Sequence, residues 1–303
     1  QIQNLSTVDF GNVTKIEIYW DDVNAPTVFE TDETPSPNKI YSHRYPDFQS
    51  PVTKTYRIRF RAYSGIICVN DMVKNMVVNA SPLTQFLPIP GICVDAVPRQ
   101  ITQASETGGI AGVGIFSGPG VSSNGIFDPA VAGVGIHTIR YTFNAANGCT
   151  HFSEQTIEVW PRPIAKPEVL LPTCEKNAVA FTGVNSVSNA AGIAQWHWNY
   201  ADGSAVQTTA SPKVNHVFAA YGNYNVQLTV TNDRGCVSLP VIQQVQIHPL
   251  PRVDFQLPKV CLPDGQAAFK DLSVIPDGTA STFTYKWDFG DGFANPVQSD
   301  TSI

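Results

Sequence analysis

Apolar and polar residues alternate with period two along most of the chain. KIEIYW, beginning at Lys15, puts Ile16, Ile18 and Trp20 on one face, and KTYRIRFRAY sets Tyr56, Ile58 and Phe60 against Arg57, Arg59 and Arg61. The pattern returns in HTIRYTF (Ile139, Tyr141, Phe143), in YNVQLTV (Tyr224, Val226, Leu228, Val230) and in FTYKWDF (Phe283, Tyr285, Trp287, Phe289). Such alternation predicts half-buried antiparallel strands, and no long window carries a comparable helical stripe. The fold class read from the pattern is all-β.

Two of these strands end in nearly the same words, WNYADG at 198–203 and WDFGDG at 287–292. Asp-Gly tolerates positive φ and turns one strand back on the next. A phosphate cradle needs a following helix whose first amides face the ligand, and neither motif leads into a helical pattern. Both are therefore expected to be structural turns, with Trp198 and Tyr200, and likewise Trp287 and Phe289, filling the space between two sheets.

Composition agrees: 23 Pro and 22 Gly against 2 Met leave little material for long helices. At 303 residues the chain suits several small domains better than one core. A net charge of −6 with 15% charged residues offers no basic field, so no nucleic acid and no anionic membrane surface is expected as partner. No apolar run is long enough for a membrane span, and QIQNLSTVDF lacks the zones of a signal peptide, so any export signal or anchor is expected outside this sequence.

The cysteines report an internal repeat. Cys68 and Cys93, Cys149 and Cys174, and Cys236 and Cys261 are each 25 residues apart, while the intervening steps are 56 and 62. Every short step holds a strand-like run, then prolines, then another apolar run, as in TIEVWPRPIAKPEVLLPTC. Proline-rich joints of this kind are stiff connectors. They place boundaries near Pro82, Pro163 and Pro251, giving domains 1–82, 83–162, 163–250 and 251–303. Two disulfide schemes compete. One pairs Cys93 with Cys149 and Cys174 with Cys236 inside domains, leaving Cys68 and Cys261 unpaired within this sequence; the other pairs Cys68–Cys93, Cys149–Cys174 and Cys236–Cys261 across joints. Parity favours the second. Position favours the first, because Cys149 and Cys236 follow a closing strand in NAANGC and TNDRGC whereas Cys93, Cys174 and Cys261 open a domain; each closed loop is worth about 4 kcal/mol. Regular spacing fits an oxidising compartment. The first scheme implies mates for Cys68 ahead of Gln1 and for Cys261 beyond Ile303.

WNYADG, SPKVNHVFAAYGNYNVQLTV and NDRGC together make residues 163–250 resemble the PKD domain, an immunoglobulin-like β-sandwich. Trp198, Asp202, Gly203, Pro212, His216, Phe218, Tyr221, Gly222, Tyr224, Val226 and Leu228 fall on that family's pattern, while Asn199 and Ala201 depart from the more usual WDFGDG. Residues 251–303, with Trp287, Asp291 and Gly292, resemble the front part of another copy, and 1–82 a divergent relative lacking its first strand. The Gly-rich stretch from Gly112 to Ile136 is similar to the Ig-like repeats interleaved with PKD domains in very large surface proteins of Bacteroidota. Its glycines read as tight loops, since no GxGxxG lies between a strand and a helix. The resemblance implies tandem immunoglobulin-like, PKD-type β-sandwiches in an extended array.

Candidate chemistry is sparse. His43, His137, His151, His197, His216 and His248 are scattered, with no HExxH and no close His-Cys set. His216 reads as a core or edge histidine bonded to a loop, and no GxSxG elbow is present. Calcium is the one candidate cofactor: Asp21, Asp22, Asp32 and Glu33 bracket an insertion rich in oxygen ligands, against which stands a plain solvated loop.

These readings predict a non-catalytic spacer in an exported, modular cell-surface adhesin. The resemblance adds gliding or attachment, the type IX route, the outer surface of the cell, and as partners neighbouring domains of the same chain, a secretion or motility machinery, and an extracellular glycan or surface ligand. The rivals are a glycan- or protein-binding module using Trp160 and Trp196, and an accessory region of a large secreted hydrolase.

Overall fold

In the computed structural model, which describes residues 1–189, 191–257, 259, 269–278 and 284–289, the chain divides into two compact units, Gln1–Val159 and Trp160–Ile303. Cys261, Asp291 and Gly292 lie outside the described residues.

Unit 1 begins with β1 (Ile2–Gln3), β2 (Lys15–Tyr19), β3 (Glu30–Asp32), β4 (Ile40–Tyr41), β5 (Thr53–Ser64) and β6 (Cys68–Asn79). A four-stranded antiparallel sheet runs β3-β2-β5-β6, and β1 pairs with β4 as a smaller second layer. The alternation of β2 and β5 works as expected. Ile16, Ile18, Trp20 and Ile58 form a buried cluster against which Ile2, Tyr41 and Tyr45 pack.

The rest of the unit comprises β7 (Thr84–Phe86), β8 (Ile92–Cys93), β9 (Arg99–Gln100), β10 (Ala104–Glu106), β11 (Gly112–Ser117), β12 (Ile126–Phe127), the single-turn α1 (Pro129–Ala132), β13 (Gly135–Ala145) and β14 (Thr150–Trp160). One sheet has the order β11-β13-β14-β8, and the short pairs β7 with β10 and β9 with β12 lie in smaller ladders. Ile139, Tyr141, Phe143, Ile157 and Val159 point into a second cluster with Phe86, Ile101 and Phe127. Not all its glycines are loops. Gly114 lies inside β11, where a Cβ would collide with the Tyr141 ring, so the absent side chain is what lets the ring lie flat across the strand. Gly120 is a true turn residue at φ 66°.

Unit 2 contains β15 (Glu168–Leu170), β16 (Ala178–Thr182), β17 (Ile193–Asn199), β18 (Gln207–Thr209), β19 (Lys213–Val217), β20 (Gly222–Asn232) and β21 (Val241–Ile247), followed by the short pair β22 (Phe255–Gln256) and β23 (Lys270–Asp271). Sheets β15-β16-β19 and β18-β17-β20-β21 face one another. Between them Val179, Phe181, Trp198, Tyr200, Phe218, Val226, Leu228 and Val230 are almost wholly buried. The period-two faces of β17 and β20 supply Trp196, Trp198, Val226, Leu228 and Val230 of this interior, as their sequences require. The architecture is that of tandem immunoglobulin-like β-sandwiches, each with its own core.

Candidate functional site

The Asp-Gly turn after β17 is built from its own side chains. Asn199 Oδ1 accepts the Ala201 amide at 3.0 Å, Ala201 takes φ 57° and Gly203 φ 90°. Asp202 Oδ1 accepts both the amide (3.0 Å) and the hydroxyl (2.5 Å) of Ser204, and Oδ2 accepts from His216 Nε2 on β19 at 2.6 Å. The His216 ring stacks on Tyr200 at 3.6 Å and meets Phe218 edge-on, while Tyr200 Oη donates to Gln207 Oε1 at 2.7 Å. Burial works against ionisation of Asp202, but the Ser204 and His216 donors outweigh it and hold the carboxyl at about 2. A Ser-His-Asp relay needs the imidazole between hydroxyl and carboxylate. Here the carboxylate sits in the middle, so the group latches a turn to a strand.

The equivalent tryptophan near the C-terminal end, Trp287, is half-buried among aromatic rings, 5.7 Å from Phe255 and 5.9 Å from Phe269, with Phe289 parallel to it at 6.1 Å.

Cysteine chemistry differs from both expected schemes. Cys93 and Cys236 are half-cystines, whereas Cys68, Cys149 and Cys174 are free thiols. The proposed mates Cys149 and Cys174 are therefore unavailing, and so are the cross-joint pairs Cys68–Cys93 and Cys149–Cys174. Geometry explains the error for Cys174. It bridges to His248, just past the Ile247 that pairs with Gly222 at the start of β20, while Cys236 follows Asn232 at the other end of that strand. Ten residue steps of strand separate the two levels by about 33 Å, and a disulfide needs Cα atoms within about 7 Å. Cys149 lies in the turn after β13, its Sγ 4.0 Å from Asn79 O rather than facing another sulfur.

The four acids proposed for calcium are not brought together. Asp32 faces Ile16 across the β2–β3 ladder, whereas Asp21 and Asp22 follow the far end of β2, about 20 Å along the strand. Asp22 is buried and neutralised by Arg57 Nη2 at 2.7 Å and by Arg59 Nε at 3.1 Å, a charge contact out of line for a hydrogen bond. Asp21 accepts from Asn24, and Asp32 from Lys39 (2.7 Å) and Tyr41 (2.6 Å). Lys39 and then Tyr41 hold the Asp32 carboxyl below its ordinary range. Among the described residues no group of three or more His, Cys, Asp or Glu side chains is placed to hold a metal ion.

Sequence reasoning set Arg57, Arg59 and Arg61 on the face opposite Tyr56, Ile58 and Phe60 but missed the polar layer that they help to build on the outer face of β2 and β5. Glu17 is buried there and accepts from Lys15 Nζ (2.9 Å), Tyr19 Oη (3.0 Å) and Tyr63 Oη (2.8 Å). The Arg59 guanidinium lies 3.9 Å from the centre of the Tyr19 ring, and Arg61 makes a two-point pair with Asp71 at 2.7 and 2.8 Å. An acid inside KIEIYW was the available signal. Also missed was Glu106, whose carboxylate collects the amides of Leu83, Gly108, Gly109 and Ile110. Burial opposes its ionisation, yet these amides hold its pKa below the ordinary value.

The tryptophans offered as a glycan platform are engaged. Trp196 is buried and donates from Nε1 to Gly183 O at 3.1 Å, and Trp160 is half-buried with the Arg234 guanidinium 4.7 Å from its ring centre. Among the described residues no helix is long and apolar enough to cross a membrane.

The two facing sheets with Trp198 buried between them define an immunoglobulin-like sandwich. In agreement, the family model for the PKD domain matches residues 160–247. Among solved structures, the PKD1 domain of Vibrio anguillarum Epp aligns at 20% identity over 29% of this chain and 95% of its own, with a TM-score of 0.25. The fibronectin(III)-like modules of Clostridium thermocellum CbhA align at 12% identity over 55% of this chain and 95% of theirs, with a TM-score of 0.29. Mouse cadherin-23 EC22-24 aligns at 13% identity over 78% of this chain and 86% of its own, with a TM-score of 0.26.

Proposed function

We propose that this chain is a non-catalytic spacer from an extracellular, modular surface protein, holding other domains at a distance. The supporting observation is that the buried residues form three clusters, Ile16–Ile58, Ala80–Val159 and Ala165–Ile247, each drawn from its own stretch of sequence. Ionisable side chains that might have done chemistry are tied into turns and strand faces instead. Domains at 1–82, 83–162, 163–250 and 251–303 belong to this reading. So does the part in attachment or gliding of a Bacteroidota cell with export by the type IX route, which rests on the resemblance of residues 83–250 to such arrays.

Single-molecule stretching between the two chain ends tests it, with the half-cystines Cys93 and Cys236 reduced beforehand so that no cross-link carries the load past residues 94–235. A spacer of this kind gives a sawtooth of separate unfolding events, the domain of the family match lengthening by about 30 nm. One cooperative event for the whole chain, or extension without resistance, overturns the reading.

A further inference from the structure

The turn that closes the β13–β14 hairpin is seated on the chain coming into its own sandwich. Asn147 Nδ2 donates to Ala80 O and Asn79 Nδ2 donates to Asn147 O, each at 2.9 Å, where β6 ends and the link to β7 begins. Unit 2 repeats the device with other side chains. In the turn after β20, Arg234 covers Trp160, at the head of the segment leading to β15. In both sandwiches the covering residue stands two places ahead of a cysteine, in Asn-Gly-Cys and Arg-Gly-Cys.

The matching hairpin of the first sandwich, β5–β6, closes through Gly65, Ile66, Ile67 and Cys68. Its turn is tied only sideways: Gly65 N donates to Thr14 Oγ1 at 3.1 Å and Thr14 N to Tyr63 O at 2.8 Å. Ile66 is 96% exposed and Ile67 86%. Ser64–Val69 contains no charged residue. Bare apolar side chains side by side at one turn, here Ile66 and Ile67, mark an interaction surface, and neither carries a charge for an ion pair.

We propose that this end of the first sandwich, the turn carrying Ile66 and Ile67, is a docking face for the outgoing segment of another β-sandwich standing ahead of it in the same polypeptide. An apolar or aromatic side chain of that segment covers the isoleucines as Trp160 is covered by Arg234. The inference rests on the tandem-spacer reading above.

The exposed thiol of Cys68 adjoins the face and reports its coverage. Maleimide labelling followed by mass spectrometry is compared between the polypeptide as its cells make it and the 303-residue chain, with Cys149 and Cys174 as internal references. The docking face predicts labelling of Cys68 at least tenfold slower in the natural polypeptide. Ile66→Asp with Ile67→Asp restores the fast rate there, while hydrogen exchange in β5 and β6 stays unchanged. Equal rates in the two proteins overturn the proposal. So does protection of the 303-residue chain that grows with its own concentration, which makes the occupant a second copy, or protection only by phosphatidylcholine vesicles, which makes it a membrane. Equal rates beside an intact stretching sawtooth sink the docking face alone; a lost sawtooth sinks the spacer reading.

Discussion

His216 and Tyr200 lie face to face, ring centres 3.6 Å apart and planes within 6°, so the imidazole that holds Asp202 is itself held by the strand ahead of the turn. The contact joins the residue just past β17 to β19, a strand of the other sheet. It turns a local Asp-Gly signal into a bond between layers.

Replacing His216 by Ala removes the stacked ring and leaves Asp202 Oδ2 without its nearest donor. Stability of unit 2 is expected to fall by about 1–3 kcal/mol, read as a lower urea midpoint by Trp198 fluorescence. A midpoint within error of the parent contradicts the latch.

The same carboxyl sets an acid limit. Its folded value of about 2 lies below the ordinary 3.8, so the stability it adds is whole above about pH 4 and is lost as pH falls towards 2. Asp202→Asn should flatten the pH dependence of the urea midpoint in that window. A parallel slope in parent and variant assigns the acid limit elsewhere.

Differential alkylation before and after reduction tests the cysteine assignment. Cys68 should react first, Cys149 and Cys174 more slowly, and Cys93 and Cys236 only after reductant. A tryptic peptide joining Cys174 to Cys236 contradicts the opposite-ends geometry.

Asp22→Ala leaves Arg57 and Arg59 facing one another across a vacated pocket. Because both arginines keep partial access to water, the expected loss is about 2–3 kcal/mol, below that of a wholly buried pair. The melting midpoint should drop in the variant, while millimolar calcium or chelator leaves the parent unchanged. A calcium-dependent rise in the parent restores the metal reading.

Asn147→Ala deletes the bond to Ala80 O and the one that accepts the Cys149 amide at 3.0 Å. About 1–2 kcal/mol of stability should go with them, together with faster labelling of Cys149 but not of Cys68. Unchanged Cys149 reactivity means that the turn is not seated on Asn79–Ala80.

Strand content and the identity of the core were readable because both are local. A period of two forces Ile16, Ile18 and Trp20, or Val226, Leu228 and Val230, onto one side whatever the rest of the chain does, and Asp-Gly turns wherever it stands. The His216 latch was half legible, as a histidine bonded to a loop; its partner Asp202, fourteen residues earlier, emerges only when β17 and β19 face each other across two sheets. What tertiary structure alone decided was which ends of strands meet. Cys174 and Cys236 look like a first-and-last pair in sequence, yet an eleven-residue strand lies between their levels. Asp22 and Asp32 are ten residues apart and look like neighbours, yet the β2–β3 register sends them to opposite ends and hands Asp22 to two arginines from β5. Alternation determines the face a side chain takes; the height at which it sits follows from register and hairpin length, and those are settled by the packing of all the strands together.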